Sequence, residues 1–75
     1  MADLRAAYNF LVDGQWEAAH EIVQADDSTL ASWMHAVVHM QEGDTANADY
    51  WFRRAGRAPS GLAKAMSGIE EELES

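Results

Sequence analysis

The chain has 75 residues, no cysteine, and a formal net charge of −8. Those values exclude a disulfide framework, a thiolate metal site and a cysteine nucleophile, and they set an acidic surface against phosphate backbones, so nucleic-acid binding is not expected. A single domain of this size buries only about 60% of the surface its unfolded chain exposes, which leaves a marginal core that gains from a partner copy, a ligand or a metal.

Apolar residues recur at three- and four-residue spacing and no alternating runs occur, so the chain reads as all-α with about five helices. The first, near residues 3–12, carries Leu4, Ala7, Tyr8 and Leu11 on one stripe and ends at Asp13 and Gly14. The second, near 15–25, sets Trp16, Ala19, His20 and Val23 on one face. Ser28 is the expected cap of a third helix that runs to about Glu42, with Leu30, Trp33, Met34, Val37 and Met40 on its core side and Trp33 as the anchor. Gly43 turns the chain and Asp44 caps a fourth helix ending near Gly56, with Ala48, Phe52 and Ala55 inward. Successive residues on a helix lie about 100° apart, so Tyr50, Trp51 and Phe52 cannot all point into one core. Pro59 blocks continuation, and Ser60 is the expected cap of a fifth helix, about 60–74, with a stripe of Leu62, Met66, Ile69 and Leu73.

A shift of 29 residues superposes Ala7 on Ala36, Leu11 on Met40, Gly14 on Gly43, Ala19 on Ala48 and Val23 on Phe52. Two copies of one antiparallel helical hairpin, about 3–25 and 28–56, followed by a closing helix, explain that register. Within the second copy, Ala36, Gly43, Ala48, Phe52 and Ala55 resemble the small, Gly, Ala, aromatic, Ala series of tetratricopeptide (TPR) repeats. The period is shorter than the roughly 34 residues of that family, and Asp26 stands where its last Ala belongs. What the resemblance implies is hairpin stacking and protein or peptide binding. The run His39, Glu42, Gly43, Asp44, Asn47, Ala48, Tyr50, Trp51 and Arg54 is also similar to small uncharacterised bacterial proteins.

Charge is unevenly spread. Residues 1–52 hold nine acids against Arg5 alone, whereas Arg53, Arg54, Arg57 and Lys64 are balanced by Glu70, Glu71, Glu72 and Glu74. No apolar run reaches the roughly 20 residues of a membrane span, and the start lacks a signal-peptide pattern, so no membrane role and a cytoplasmic location are expected.

The chemistry-bearing residues gather on two helices. His35, His39 and Glu42 share the side of the third helix opposite its apolar stripe, with the i, i+4 spacing that lets two imidazoles share a metal. His20 in the second helix is a third possible ligand to zinc or iron, the rival reading being a half-buried histidine bonded to a backbone carbonyl or to Glu42. Antiparallel packing of the third and fourth helices brings this row against Asn47, Tyr50, Trp51 and Arg54, as a polar network or the floor of a small pocket for a metal or anion. No phosphate loop, nucleophile elbow or His-Glu-x-x-His signature is present, so an enzyme is not expected. The leading functional expectation is a non-enzymatic helical-repeat module that binds protein, with a second copy of itself as first choice because the end opposite the closing helix has no cap.

Overall fold

The computed structural model describes residues 2–75. Five helices follow in order: α1 (Leu4–Val12), α2 (Trp16–Val23), α3 (Thr29–Glu42), α4 (Thr45–Arg54) and α5 (Leu62–Glu74). There is no strand among the described residues, and none of these helices is long and apolar enough to cross a membrane.

Three helix starts are built alike. The side chains of Asp3, Ser28 and Asp44 accept from the backbone N–H groups of Ala6, Ala31 and Asn47, at 3.0, 3.1 and 3.2 Å, and so satisfy donors that the first turn leaves free. Three helix ends are also built alike, the third at Gly56 (φ +70°), where Arg57 N–H reaches Phe52 O at 3.0 Å. Gly14 (φ +74°) and Gly43 (φ +94°) take the left-handed conformation, and the next residue reaches back, Gln15 N–H to Phe10 O at 2.8 Å and Asp44 N–H to His39 O at 2.9 Å. Only glycine adopts that backbone without strain, so all three ends rest on it. The start of α5 differs from the sequence expectation. Gly61, not Ser60, occupies the cap position, and the Ser60 hydroxyl donates to Gly61 O at 3.2 Å instead of accepting from the helix.

Helix α3 is the hub, packing against each of the other four. Every residue from Ala31 to Val38 is consequently buried, so the side of α3 that carries His35 lies under neighbouring helices and is not an outer face. The large fully buried side chains are Leu11, Val23, Met34, Val37, Val38, Phe52 and Ile69. Each contributes about 1.5–3 kcal/mol relative to an exposed position. Ala7, Ala19, Ala36, Ala48 and Ala65, all 2% exposed or less, keep the helix axes close.

Helix α5 lies on α3 and α1 and makes no packing contact with α4. Its buried residues are Ala65 and Ile69, with Met66 and Leu73 half-buried and Leu62 exposed, so the expected stripe enters the core only in part. Trp33 receives this helix. A Cβ added at Gly68 would stand 2.4 Å from Trp33 Cη2, which explains a glycine in a helix interior where it otherwise weakens the helix by about 1 kcal/mol. The Arg57 guanidinium sits 4.1 Å from the Trp33 ring centroid and 3.4 Å from the Glu72 carboxylate, tying the α4–α5 connection to the same spot.

Candidate functional site: a three-histidine cluster between α2, α3 and α4

The spacing of His35 and His39 puts one imidazole above the other on α3, with ring centroids 5.0 Å apart. Packing of α2 against α3 brings His20 to the same place, its Nε2 3.1 Å from His35 Nε2. One ring nitrogen from each of the three histidines lies within 4.8 Å of the others. Among the described residues His20 is bonded to His35 and to neither a backbone carbonyl nor Glu42.

From the fourth helix, Trp51 lies flat against His35, at 3.7 Å between centroids and 7° between planes. His35 is thereby buried at 5% exposure and held between an indole and two imidazoles. Glu42 fixes His39 from the other side, with Nδ1 and Oε1 2.8 Å apart. An ionised carboxylate can only accept, so His39 donates its Nδ1–H, and in the neutral ring that tautomer leaves the lone pair on Nε2. This is the arrangement by which second-shell carboxylates orient histidine ligands of metals.

The remaining residues of the expected seam sit further out. The Arg54 guanidinium lies 5.1 Å from the Trp51 centroid, and its Nη1 donates to the Tyr50 hydroxyl at 3.3 Å. Tyr50 is exposed, Phe52 is in the core and Trp51 faces the histidines, so the three consecutive aromatics serve three different surroundings. Asn47 does not join the cluster. Its amide donates to Asp44 Oδ2 at 3.0 Å and reinforces the cap of α4. A second grouping of His39, Glu42 and Asp44 is close enough to consider, but Asp44 is already engaged by Asn47 through both oxygens and Glu42 by His39. Those bonds hold the Asp44 carboxyl below the usual carboxylate range.

Electrostatics reinforce the geometry at His35. Burial first, then the positive forms of His20 and His39 and the charge of Arg54, lower its pKa from 6.5 to about 4. At neutral pH it is therefore an unprotonated nitrogen base. The same shift predicts a pH dependence for the metal-free protein. Above about pH 6.5 the His35 ring is neutral folded or unfolded; on acidification the unfolded chain takes up the proton first, so stability falls between about pH 6.5 and pH 4 and then levels off. The ceiling of the loss is about 3 kcal/mol. Urea melts from pH 7 to pH 4 should show the decline, and His35→Gln should flatten it.

Compared with protein-family models, curated proteins and solved structures, the chain matches none. The site therefore stands on its own geometry.

Proposed function

We propose that this protein binds one transition-metal ion, zinc foremost and iron as the alternative, through His20, His35 and His39, and that the metal fastens α2 to α3. The observation that carries this reading is the convergence of three imidazole nitrogens from two helices within 4.8 Å. Tetrahedral zinc with bonds of about 2.0–2.1 Å needs ligand nitrogens about 3.3 Å apart. The 3.1 Å between the Nε2 atoms of His20 and His35 is close to that value, and metal binding would move the proton of that hydrogen bond to a ring Nδ1; a ring nitrogen of His39 lies within 4.8 Å of both. Imidazole donors suit zinc, iron, copper and nickel; zinc, which has no geometric preference from d-electrons, accepts a ligand arrangement set by helix packing.

Two features favour a ligand role over a purely structural one. A neutral His35 offers its lone pair without first losing a proton at pH 7. The Glu42 carboxylate fixes the tautomer of His39 that leaves Nε2 free. The sequence alone favoured protein binding over a metal, but the nitrogen cluster is the more specific feature.

Calorimetric titration of the untagged protein with Zn²⁺ should give one equivalent bound. His20→Ala and His39→Ala should remove that binding while leaving the helical circular dichroism intact, and Glu42→Gln should weaken it about tenfold. Unchanged affinity in the two histidine variants would end the proposal.

A further inference from the structure

Among the described residues, two groups of donors stand close enough to share an ion: His20, His35 and His39, and His39 with Glu42 and Asp44. Both carboxylates of the second group are already claimed, Glu42 by His39 Nδ1 and Asp44 by Asn47. Glu17, three residues before His20, lines a shallow depression on α2 together with that histidine, but it is exposed and belongs to neither group. The protein thus brings three ligands together and not four. A closed structural zinc site has four protein ligands, whereas three leave one position of the tetrahedron to a molecule from solution.

The cluster is not sealed from solvent. Trp51 lies flat on the buried His35 and closes the α4 flank. His20 and His39 are only half-buried, and His20 forms part of the wall of the depression that Trp16, Glu17, Ala18 and Glu21 complete. Charge then selects what can enter. Neutral imidazoles do not cancel the double positive charge of a divalent ion. Around them Glu42 touches His39, and Arg54 acts in the opposite sense, its charge reaching His35. These two offset each other, so the centre stays positive and favours an anion over a neutral ligand. Glu17 and Glu21 at the rim of the depression discriminate against multiply charged anions.

Building on the metal reading above, we infer that the ion held by His20, His35 and His39 is an exchangeable centre whose fourth position takes water or hydroxide and yields to small, singly charged anions. The metal then does more than fasten α2 to α3: it presents a Lewis-acid position at the surface, as three-ligand zinc sites do.

Cobalt(II) provides the test, because its visible absorption changes in strength and position with the ligands around it. One equivalent of Co²⁺ added to the intact chain should give the intense bands of a four-coordinate ion, and His39→Ala should remove them. Azide titrated into the cobalt protein should shift those bands with one-to-one saturation, and sulfate should do so at least tenfold more weakly. Glu17→Gln should leave the azide-free spectrum unchanged. Bands that form but do not move with azide, or that change in Glu17→Gln, would overturn the inference while leaving the metal reading in place, since the fourth ligand would then come from protein. If neither Co²⁺ nor Zn²⁺ binds, the metal reading and this inference fall together.

Discussion

Trp33→Ala should destabilise the fold by about 3–5 kcal/mol, the range for deleting a large buried aromatic. Domains of this size hold only about 5–15 kcal/mol in total, so the variant sits near the edge of folding. The size of the effect follows from what Trp33 joins: the hub helix α3, the close-packed Gly68 of α5, and the Arg57 guanidinium 4.1 Å above its ring. A sharper form of the prediction uses Gly68. Gly68→Ala places a methyl 2.4 Å from Trp33 Cη2 and 2.8 Å from Cζ2, and should cost about 1–3 kcal/mol although alanine favours the helix. In a Trp33→Leu background the clash is gone and the same change should stabilise by up to about 1 kcal/mol. Urea denaturation of the four proteins in that cycle measures the coupling directly. Additive effects would mean that α5 does not dock on Trp33.

Zinc should raise the melting temperature by more than 10 °C. A ligand that binds only the folded state adds about 2.7 kcal/mol at a free concentration one hundred times its Kd. In a domain of roughly 60–100 residues each kcal/mol moves the midpoint by about 4–8 °C. The ion joins His20 of α2 to His35 and His39 of α3, a span that begins 15 residues before His35, so it holds together two helices whose docking the unfolded chain lacks. Differential scanning calorimetry with and without Zn²⁺ reads the shift, and His39→Ala should abolish it. The stabilisation should also shrink on acidification, as protons compete for the imidazole nitrogens.

Much of this fold could be read from residues that act locally. Ser28 and Asp44 cap the helices they precede, and Gly14 and Gly43 turn the chain, because short-range hydrogen bonds and the steric freedom of glycine decide those positions. Ser60 shows where such reasoning stops. A hydroxyl near a helix start has alternatives, and here the extended Gly61 serves as the cap while Ser60 bonds outward. Periodicity placed His35 opposite the apolar stripe of α3, which is correct as angle and misleading as burial, since only tertiary packing reveals that α2 and α4 cover that side. The i, i+4 pair of His35 and His39 was legible from helical spacing; the approach of His20 and the flat stacking of Trp51 depend on helix docking that spacing does not encode. Gly68 carried one signal, a glycine inside an amphipathic helix, and the reason for it lies across the interface in Trp33. Asn47 was grouped with the site because it shares a helix face with Tyr50 and Arg54, yet the nearer carboxylate of Asp44 claims its amide.

X-ray absorption at the zinc K-edge of protein loaded with one equivalent of Zn²⁺ tests the central claim most directly. Coordination by His20, His35 and His39 predicts three imidazole nitrogens at about 2.0–2.1 Å, with the multiple-scattering pattern of histidine rings. A shell of oxygens from carboxylates and water, with one imidazole or none, would contradict it.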